Sequence, residues 1–76
     1  MSKSKRVRTL ARKAEQGKPF AMYQLGLAYL AGKEIKLDEP KGYFWIRLAA
    51  IEGYLPAKEY LEDVLLDDDA LVQGEA

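Results

Sequence analysis

The side chains of this 76-residue chain that could take part in catalysis or bind a metal are mainly carboxylates. Glu34, Asp38 and Glu39 lie close together near the middle of the chain, and residues 67–69 are three successive aspartates. The aspartates could in principle bind calcium, but an EF-hand loop needs ligands at spaced positions and a central glycine. We therefore expect residues 67–69 to form a solvated acidic turn and not a metal site.

Other catalytic groups are scarce. The chain has no cysteine and no histidine, which excludes thiolate nucleophiles, disulfide bonds, zinc fingers and imidazole acid–base catalysis. Ser2, Ser4 and Thr9 have no base to activate them, and the glycines do not form a phosphate-binding loop. We expect a protein that is not an enzyme and that has no catalytic residues, no metal and no cofactor.

The length and composition indicate one small globular domain, because 49% of the residues are hydrophobic and 32% are charged. A domain of this size buries only about 60% of the surface that its unfolded chain exposes, so contacts with a partner can matter for stability. The basic first eight residues are followed by charged side chains over residues 9–16, where a signal peptide needs an apolar run. These features predict a soluble, cytoplasmic protein with no membrane segment.

Basic and acidic side chains balance overall but collect at opposite ends of the chain. Residues 1–18 hold seven basic side chains and one acidic one, whereas residues 59–76 hold seven acidic side chains and no basic one. We expect these charges to favour solubility; the alternative is that the basic end binds nucleic acid or another acidic surface. The residues concerned are Lys3, Lys5, Arg6, Arg8, Arg12 and Lys13. A net charge of zero makes nucleic acid the less favoured partner.

Comparison of the chain with itself reveals an offset of 36 residues. The pairs that obey it are Leu10/Ile46, Ala14/Ala50, Gly17/Gly53, Ala21/Ala57 and Leu25/Leu61. Periods of about 20 to 50 residues are typical of proteins in which similar supersecondary units stack on one another. We expect each unit to be a pair of helices.

Start and stop signals predict the first two helices. One helix ends before Gly17, and Pro19 suits the first turn of the next. The second helix continues to Ala31 and stops at Gly32, because glycine readily adopts the left-handed conformation that ends a helix.

Two further helices follow a connector. Asp38 offers an N-cap for the third helix and Pro40 lies in its first turn, so this helix runs to about Glu52. Gly53 ends it, and Pro56 opens a fourth helix. No segment alternates between apolar and polar residues with a period of two, so we expect no strand.

Small and aromatic residues recur at fixed spacing through the second and third helices. The segments are Ala21-x-x-x-Leu25-Gly26-x-x-Tyr29-x-x-Gly32, Ile35-x-x-Asp38 and Trp45-x-x-x-Ala49-Ala50-x-x-Gly53. This pattern closely resembles the Sel1-like repeat, a relative of the tetratricopeptide repeats. The resemblance implies antiparallel helix pairs of about 36 residues that stack into a right-handed superhelix. One departure is Glu34, which occupies a position where the family usually has a second glycine.

The resemblance divides the chain into a half unit, a whole unit and a second half unit. Residues 4–17 form the first helix, which is the second half of a preceding unit, and residues 19–53 form the complete repeat. Residues 54–66 are the first half of a following unit, and residues 67–76 are an acidic C-terminal cap or tail. Leu71 and Val72 would cover the fourth helix if the end of the chain folded back. The predicted fold is all-α, a short antiparallel helix-hairpin stack, or α-solenoid, of about two Sel1-like pairs.

The motif residues are expected to pack and not to react. Small side chains such as Ala21, Gly26, Ala49 and Ala50 let helix axes approach closely, and Tyr29 and Trp45 fill the space between neighbouring helices.

A second apolar stripe runs along the second helix beside the motif residues and consists of Phe20, Tyr23, Leu27 and Leu30. In related repeats the first helix of each pair lines a concave groove, and the resemblance places seven residues there. They are Tyr23, Gln24, Leu27 and Leu30 on the second helix and Glu59, Tyr60 and Asp63 on the fourth. A groove with apolar, tyrosine and carboxylate groups suits an extended or helical peptide that carries apolar and basic residues.

Two other interpretations of this stripe stay open. Neighbouring helices could bury it, and we expect Phe20 in particular to pack; alternatively, it could form the interface of a homodimer. The leading functional hypothesis is a non-catalytic protein–protein interaction module, a small adaptor or regulator that presents a helical groove to a protein or peptide.

Overall fold

The computed structural model describes residues 4–64, and its regular structure is entirely α-helical over that span. The helices are α1 (Lys5–Glu15), α2 (Pro19–Ala31), α3 (Glu39–Ile51) and α4, which is helical from residue 55 to residue 64. The predicted all-α fold is therefore confirmed. The predicted acidic cap, with Leu71 and Val72, and the aspartates at 67–69 lie outside the described residues.

Helix α1 begins at a side-chain cap and buries one narrow face. The Ser4 hydroxyl oxygen accepts a hydrogen bond from the backbone N–H of Val7, with a distance of 3.1 Å. Val7, Leu10 and Ala14 recur every three or four residues and are all buried, whereas the basic side chains of the helix are exposed. This face packs against α2.

Helix α2 occupies the predicted range and is flanked by the other helices. Pro19 lies in its first turn, and Gly32 ends it with a φ of 68°, while the Gly32 N–H bonds the Ala28 carbonyl at 2.9 Å. Ala21, Met22, Leu25 and Gly26 are buried, and Tyr23, Leu27, Tyr29 and Leu30 are partly buried. Because α1 and α3 both pack against it, α2 can be apolar on more than one face.

Asp38, the last residue of the connector from α2 to α3, forms hydrogen bonds with both helices. The Asp38 carboxylate caps α3 by accepting from the Lys41 N–H at 3.1 Å, and the Asp38 N–H bonds the Tyr29 carbonyl at 3.1 Å. Glu34, which replaces a glycine of the Sel1-like pattern, does not have a positive φ. The backbone at residue 34 therefore does not require glycine here.

Helices α2 and α3 approach each other closely at Gly26 and Gly42. A Cβ added at Gly26 would lie 2.6 Å from the Gly42 carbonyl oxygen, and one added at Gly42 would lie 2.7 Å from the Leu30 side chain. A Cβ at Gly26 would also lie 2.6 Å from Ile46. Residue 26 of α2 thus lies against residue 46 of α3, and residue 30 lies against residue 42. Because the contact positions increase along α2 while they decrease along α3, the two helices are antiparallel.

The hydrophobic core lies where α2 meets its three neighbours. Its buried members are Val7, Leu10, Ala14, Ala21, Met22, Leu25, Ile46, Ala49 and Ala57. Ala57 comes from α4 and is fully buried, so α4 belongs to the same core. Within the described span no polar or charged residue is buried. Small residues and aliphatic chains therefore hold the helices together by packing alone.

One detail differs from the sequence-based expectations. Phe20 was expected to pack, but 57% of its surface is exposed, because it lies in the first turn of α2, where its ring meets that of Tyr54 edge to face. Tyr29 and Trp45 are partly buried and pack against the core.

The Gly26→Ala variant should be less stable by about 1–3 kcal/mol, because its methyl group would overlap the Gly42 backbone and force α3 away. Intrinsic helix propensity alone predicts the opposite, a gain of about 1 kcal/mol. Urea denaturation of both proteins measures the difference.

Ala28→Gly is the matched control, since it changes propensity in the same helix in the opposite direction. A Gly26→Ala protein as stable as the parent would show that the close approach of α2 and α3 is not required.

Candidate functional site

An aromatic cluster joins α2 to α4 and consists of Phe20, Tyr23, Tyr54 and Tyr60. The Tyr23 ring centroid lies 5.6 Å from that of Tyr54 and 6.3 Å from that of Tyr60. Phe20 meets Tyr54 edge to face at 6.2 Å. These separations fall within the range in which aromatic rings attract one another beyond simple burial. The cluster therefore fixes how α4 sits on α2 and places four rings side by side.

The fold alters the ionisation of Tyr60. Burial raises the pKa of its hydroxyl above the ordinary value of 10.0. Negative charge on Tyr43 or Tyr23 would repel a phenolate at Tyr60, and a hydrogen bond with Tyr43 favours the neutral hydroxyl, so both neighbours raise this pKa further. Tyr43 belongs to α3, so the cluster is connected to three helices.

Exposed groups of two kinds belong to the cluster or lie near it in the sequence. Phe20, a member of the cluster, is 57% exposed, and Leu55, which follows Tyr54, is 63% exposed. Glu59 and Asp63 are exposed on α4, one residue before and three residues after Tyr60. The aromatic cluster together with Leu55, Glu59 and Asp63 is called the α2–α4 surface below. It combines apolar groups, tyrosine hydroxyls and negative charge.

The other predicted groove residues lie elsewhere. Gln24 and Leu27 line a cleft of about 290 Å³ on the side of α2 that faces α1 and the connector. There the Arg6 guanidinium donates to the Gln24 side-chain oxygen at 3.2 Å and to the Glu34 carboxylate at 2.7 Å. Leu30 covers Gly42 of α3. The structure thus brings Tyr23 against Tyr60, whereas Gln24 and Leu27 line the cleft beside Arg6 and Leu30 lies against α3.

Tyr54 and Leu55 are the members of the α2–α4 surface that the sequence analysis missed. Tyr54 lies directly before α4, where the 36-residue offset pairs it with Lys18, so the repeat gave no reason to select it. A local signal could have identified Tyr54, because it follows Gly53, which ends α3, and comes directly before α4. An apolar residue just before a helix often packs against the first turns of that helix.

A wider cleft of about 590 Å³ opens along α3 on the side of α1. Its apolar wall includes Phe44 and Trp45, whose ring centroids are 5.3 Å apart. Its polar groups already have structural contacts: the Lys41 ammonium lies 5.4 Å from the Tyr29 ring centroid, and Asp38 caps α3. This volume could hold a small molecule. Lys41 and Asp38, however, already make contacts within the fold, so they are not available for a ligand.

The described residues offer neither a metal cluster nor a membrane span. Between residues 4 and 64, no group of three or more acidic side chains converges as metal ligands would. The helices in this span are also too short or too polar to cross a bilayer.

Comparison with known proteins gives one informative relative. The chain is 42% identical over 53 residues, or 70% of its length, to an uncharacterized protein of Neisseria meningitidis serogroup B. The chain spans only 11% of the length of that relative. No family model matches the sequence, and no solved structure matches it significantly. The similarity therefore places a related segment within a longer protein, and the function has to be argued from the α2–α4 surface.

The raised pKa of Tyr60 predicts a loss of stability in alkali. Above a pH of about 10 the unfolded chain releases this proton more readily than the folded chain, so the free energy of unfolding falls as pH rises. The Tyr60→Phe variant should show a smaller fall between pH 9 and pH 11, measured by urea denaturation at each pH.

Tyr29→Phe, which removes a tyrosine hydroxyl outside the aromatic cluster, is the matched control for the substitution. An unchanged pH profile for Tyr60→Phe would contradict the assignment.

Proposed function

We propose that this chain is a Sel1-like helical repeat module that binds a segment of another protein on its α2–α4 surface, without catalysis, in the cytoplasm. The observation that supports this most is the aromatic cluster with exposed apolar and acidic groups at its border. Tyrosine is enriched among residues that dominate protein interfaces, because it adds a large apolar area and a hydroxyl at low entropic cost.

The chemistry of the α2–α4 surface defines the partner. Phe20 and Leu55 can accept apolar side chains, and the tyrosine ring faces can accept a cation. Glu59 and Asp63 lie beside Tyr60 and favour lysine or arginine. A peptide with apolar residues next to basic ones, in an extended or helical conformation, matches this arrangement.

A second candidate function is supported by α1. Five basic side chains are exposed along its eleven residues, and they are Lys5, Arg6, Arg8, Arg12 and Lys13. Such a helix could bind phosphate groups of a nucleic acid or another acidic surface. Arg6 also forms the ion pair with Glu34, so part of this charge is engaged within the chain.

Selection of a displayed peptide library on the immobilised 76-residue protein tests the first proposal. We expect enriched peptides that combine apolar and basic residues. The Phe20→Ala and Leu55→Ala variants should bind them about tenfold more weakly or worse, because both side chains are exposed and their loss removes contact area without disturbing the core.

Ile51→Ala is the matched control for these variants, since Ile51 is the most exposed large apolar residue, at 75%, and lies outside the α2–α4 surface. Peptides that bind equally to Phe20→Ala, Leu55→Ala and the parent would contradict the proposal.

The α1 hypothesis is tested by titrating duplex and single-stranded nucleic acid at several salt concentrations. Phosphate binding requires that the affinity fall steeply as salt rises and that Arg12→Glu reduce it at every salt concentration. Binding that is absent at low salt would eliminate this candidate.

A further inference from the structure

The 36-residue offset relates α1 to α3 and α2 to α4, so equivalent positions can be compared. In the order of the repeat, α2 and α3 form a complete pair. Helix α4 is equivalent to the first member of a pair and α1 is equivalent to the second member. In the described residues α1 packs on α2, and α4 joins α2 through the contact of Tyr60 with Tyr23.

The central contact of the complete pair has charged equivalents on the two outer helices. In α2 and α3 this contact is Gly26 against Gly42. The offset places Glu62 of α4 at the position of Gly26, and Arg6 of α1 at the position of Gly42. Where the complete pair has two glycines in contact, the outer helices therefore carry a carboxylate and a guanidinium, which attract each other.

Neighbouring positions extend this complementarity. Ile46, which lies against Gly26, corresponds to Leu10, which is already buried in the chain's own core, so the position beside Arg6 does not add charge to the contact. Ala49, which is fully buried in α3, corresponds to the exposed Lys13. Lys13 adds positive charge to the face of α1 that would meet α4. Residues 1–18 and 59–76 carry net charges of opposite sign, which favours the same encounter over longer distances.

Both charged groups are accessible. Glu62 is exposed, and the side chain of Arg6 is 53% exposed although it pairs with Glu34. An exposed ion pair of this kind contributes little to stability, and a guanidinium has five N–H donors, so Arg6 can bond a second carboxylate.

We propose that α1 of one copy of this chain docks on α4 of a second copy, head to tail, with Arg6 opposite Glu62, so that the two helices complete a repeat pair between copies. The surface on α1 differs from the surface on α4, so the contact is heterologous and can continue from copy to copy instead of closing as a dimer. The assembly continues the helical stack across the copies.

This contact lies next to the α2–α4 surface. Tyr60 meets Tyr23 on one side of α4, whereas Glu62 is two residues further along the helix, beside Glu59, and belongs to the face equivalent to Gly26. Phe20→Ala, which should weaken peptide binding, leaves Arg6 and Glu62 in place and should associate like the parent, so the failure of one proposal can be told apart from the failure of the other.

Sedimentation velocity of the 76-residue protein over a range of concentrations tests the proposal. At a salt concentration of about 0.02 M, the weight-average sedimentation coefficient should rise with protein concentration without reaching a dimer plateau. At about 0.5 M salt the rise should largely disappear, because the Debye length shrinks to a few ångströms and exposed charges are screened.

Charge reversal identifies the contact. Arg6→Glu and Glu62→Arg should each weaken association about tenfold or more, because each places like charges opposite one another. An equimolar mixture of the two variants should associate again, since Glu62 of the first meets Arg6 of the second. The double variant Arg6→Glu/Glu62→Arg should also associate, because the pair is then reversed.

Control variants separate this contact from general charge effects. Lys36→Glu and Glu52→Arg change the net charge by the same amounts at exposed positions away from the contact and should associate like the parent. Glu34→Gln removes the partner of Arg6 within the chain and should also leave association intact, which excludes loss of that ion pair as the cause. Circular dichroism confirms that each variant is folded.

A protein that stays monomeric at low salt overturns the proposal. So does a closed dimer that Arg6→Glu leaves unchanged, because that result indicates a symmetric interface through another surface. Failure of the mixed variants to associate likewise overturns the pairing of Arg6 with Glu62.

Discussion

The contact between Gly26 and Gly42 is the constraint on which the rest of the fold depends. With no side chain at either position, α2 and α3 approach until backbone oxygen and side-chain carbon fill the gap. Ile46 and Leu30 then lie on either side of the contact and are held in place by it. Because the described core contains no buried polar group, this geometric fit replaces hydrogen bonding between side chains as the source of specificity.

Helix α4 shows how one short helix can present two unlike surfaces. Ala57 anchors it in the core, and Tyr60 joins it to α2 and α3 through aromatic contacts. Glu62 is directed to a different side, where attraction acts between exposed charges and depends on salt. The aromatic contacts act at short range and are far less sensitive to ionic strength. The two sides therefore respond to different solution conditions.

Local sequence signals were sufficient for the helices of this protein. Pro19, Gly32 and Asp38 act within one turn of their own position, so they could be interpreted without knowing the fold. Small residues at the repeat spacing likewise predicted which helix faces are buried. Helix α4 begins at residue 55, one residue before the Pro56 that was predicted to open it, which is within the usual uncertainty of a helix boundary.

The surface was harder to predict because it depends on how the helices are rotated about their axes. Tyr23 and Gln24 are adjacent in sequence, yet one meets α4 and the other meets Arg6 of α1. A helix turns by about 100° per residue, so a small error in the assumed rotation moves a residue from one groove to another. Tyr54 and the exposed Phe20 depend on long-range contacts that no local pattern encodes.

The hydrogen bond between the Asp38 N–H and the Tyr29 carbonyl affects how this fold could change during evolution. Gly32 turns the chain out of α2, and the Asp38 N–H bonds back to the Tyr29 carbonyl before α3 begins. The residues between are mostly exposed, and lengthening a loop whose ends are already fixed adds only a slowly growing entropic cost. This connector is therefore where insertions, or a grafted foreign epitope, could accumulate while the helical pair keeps its geometry.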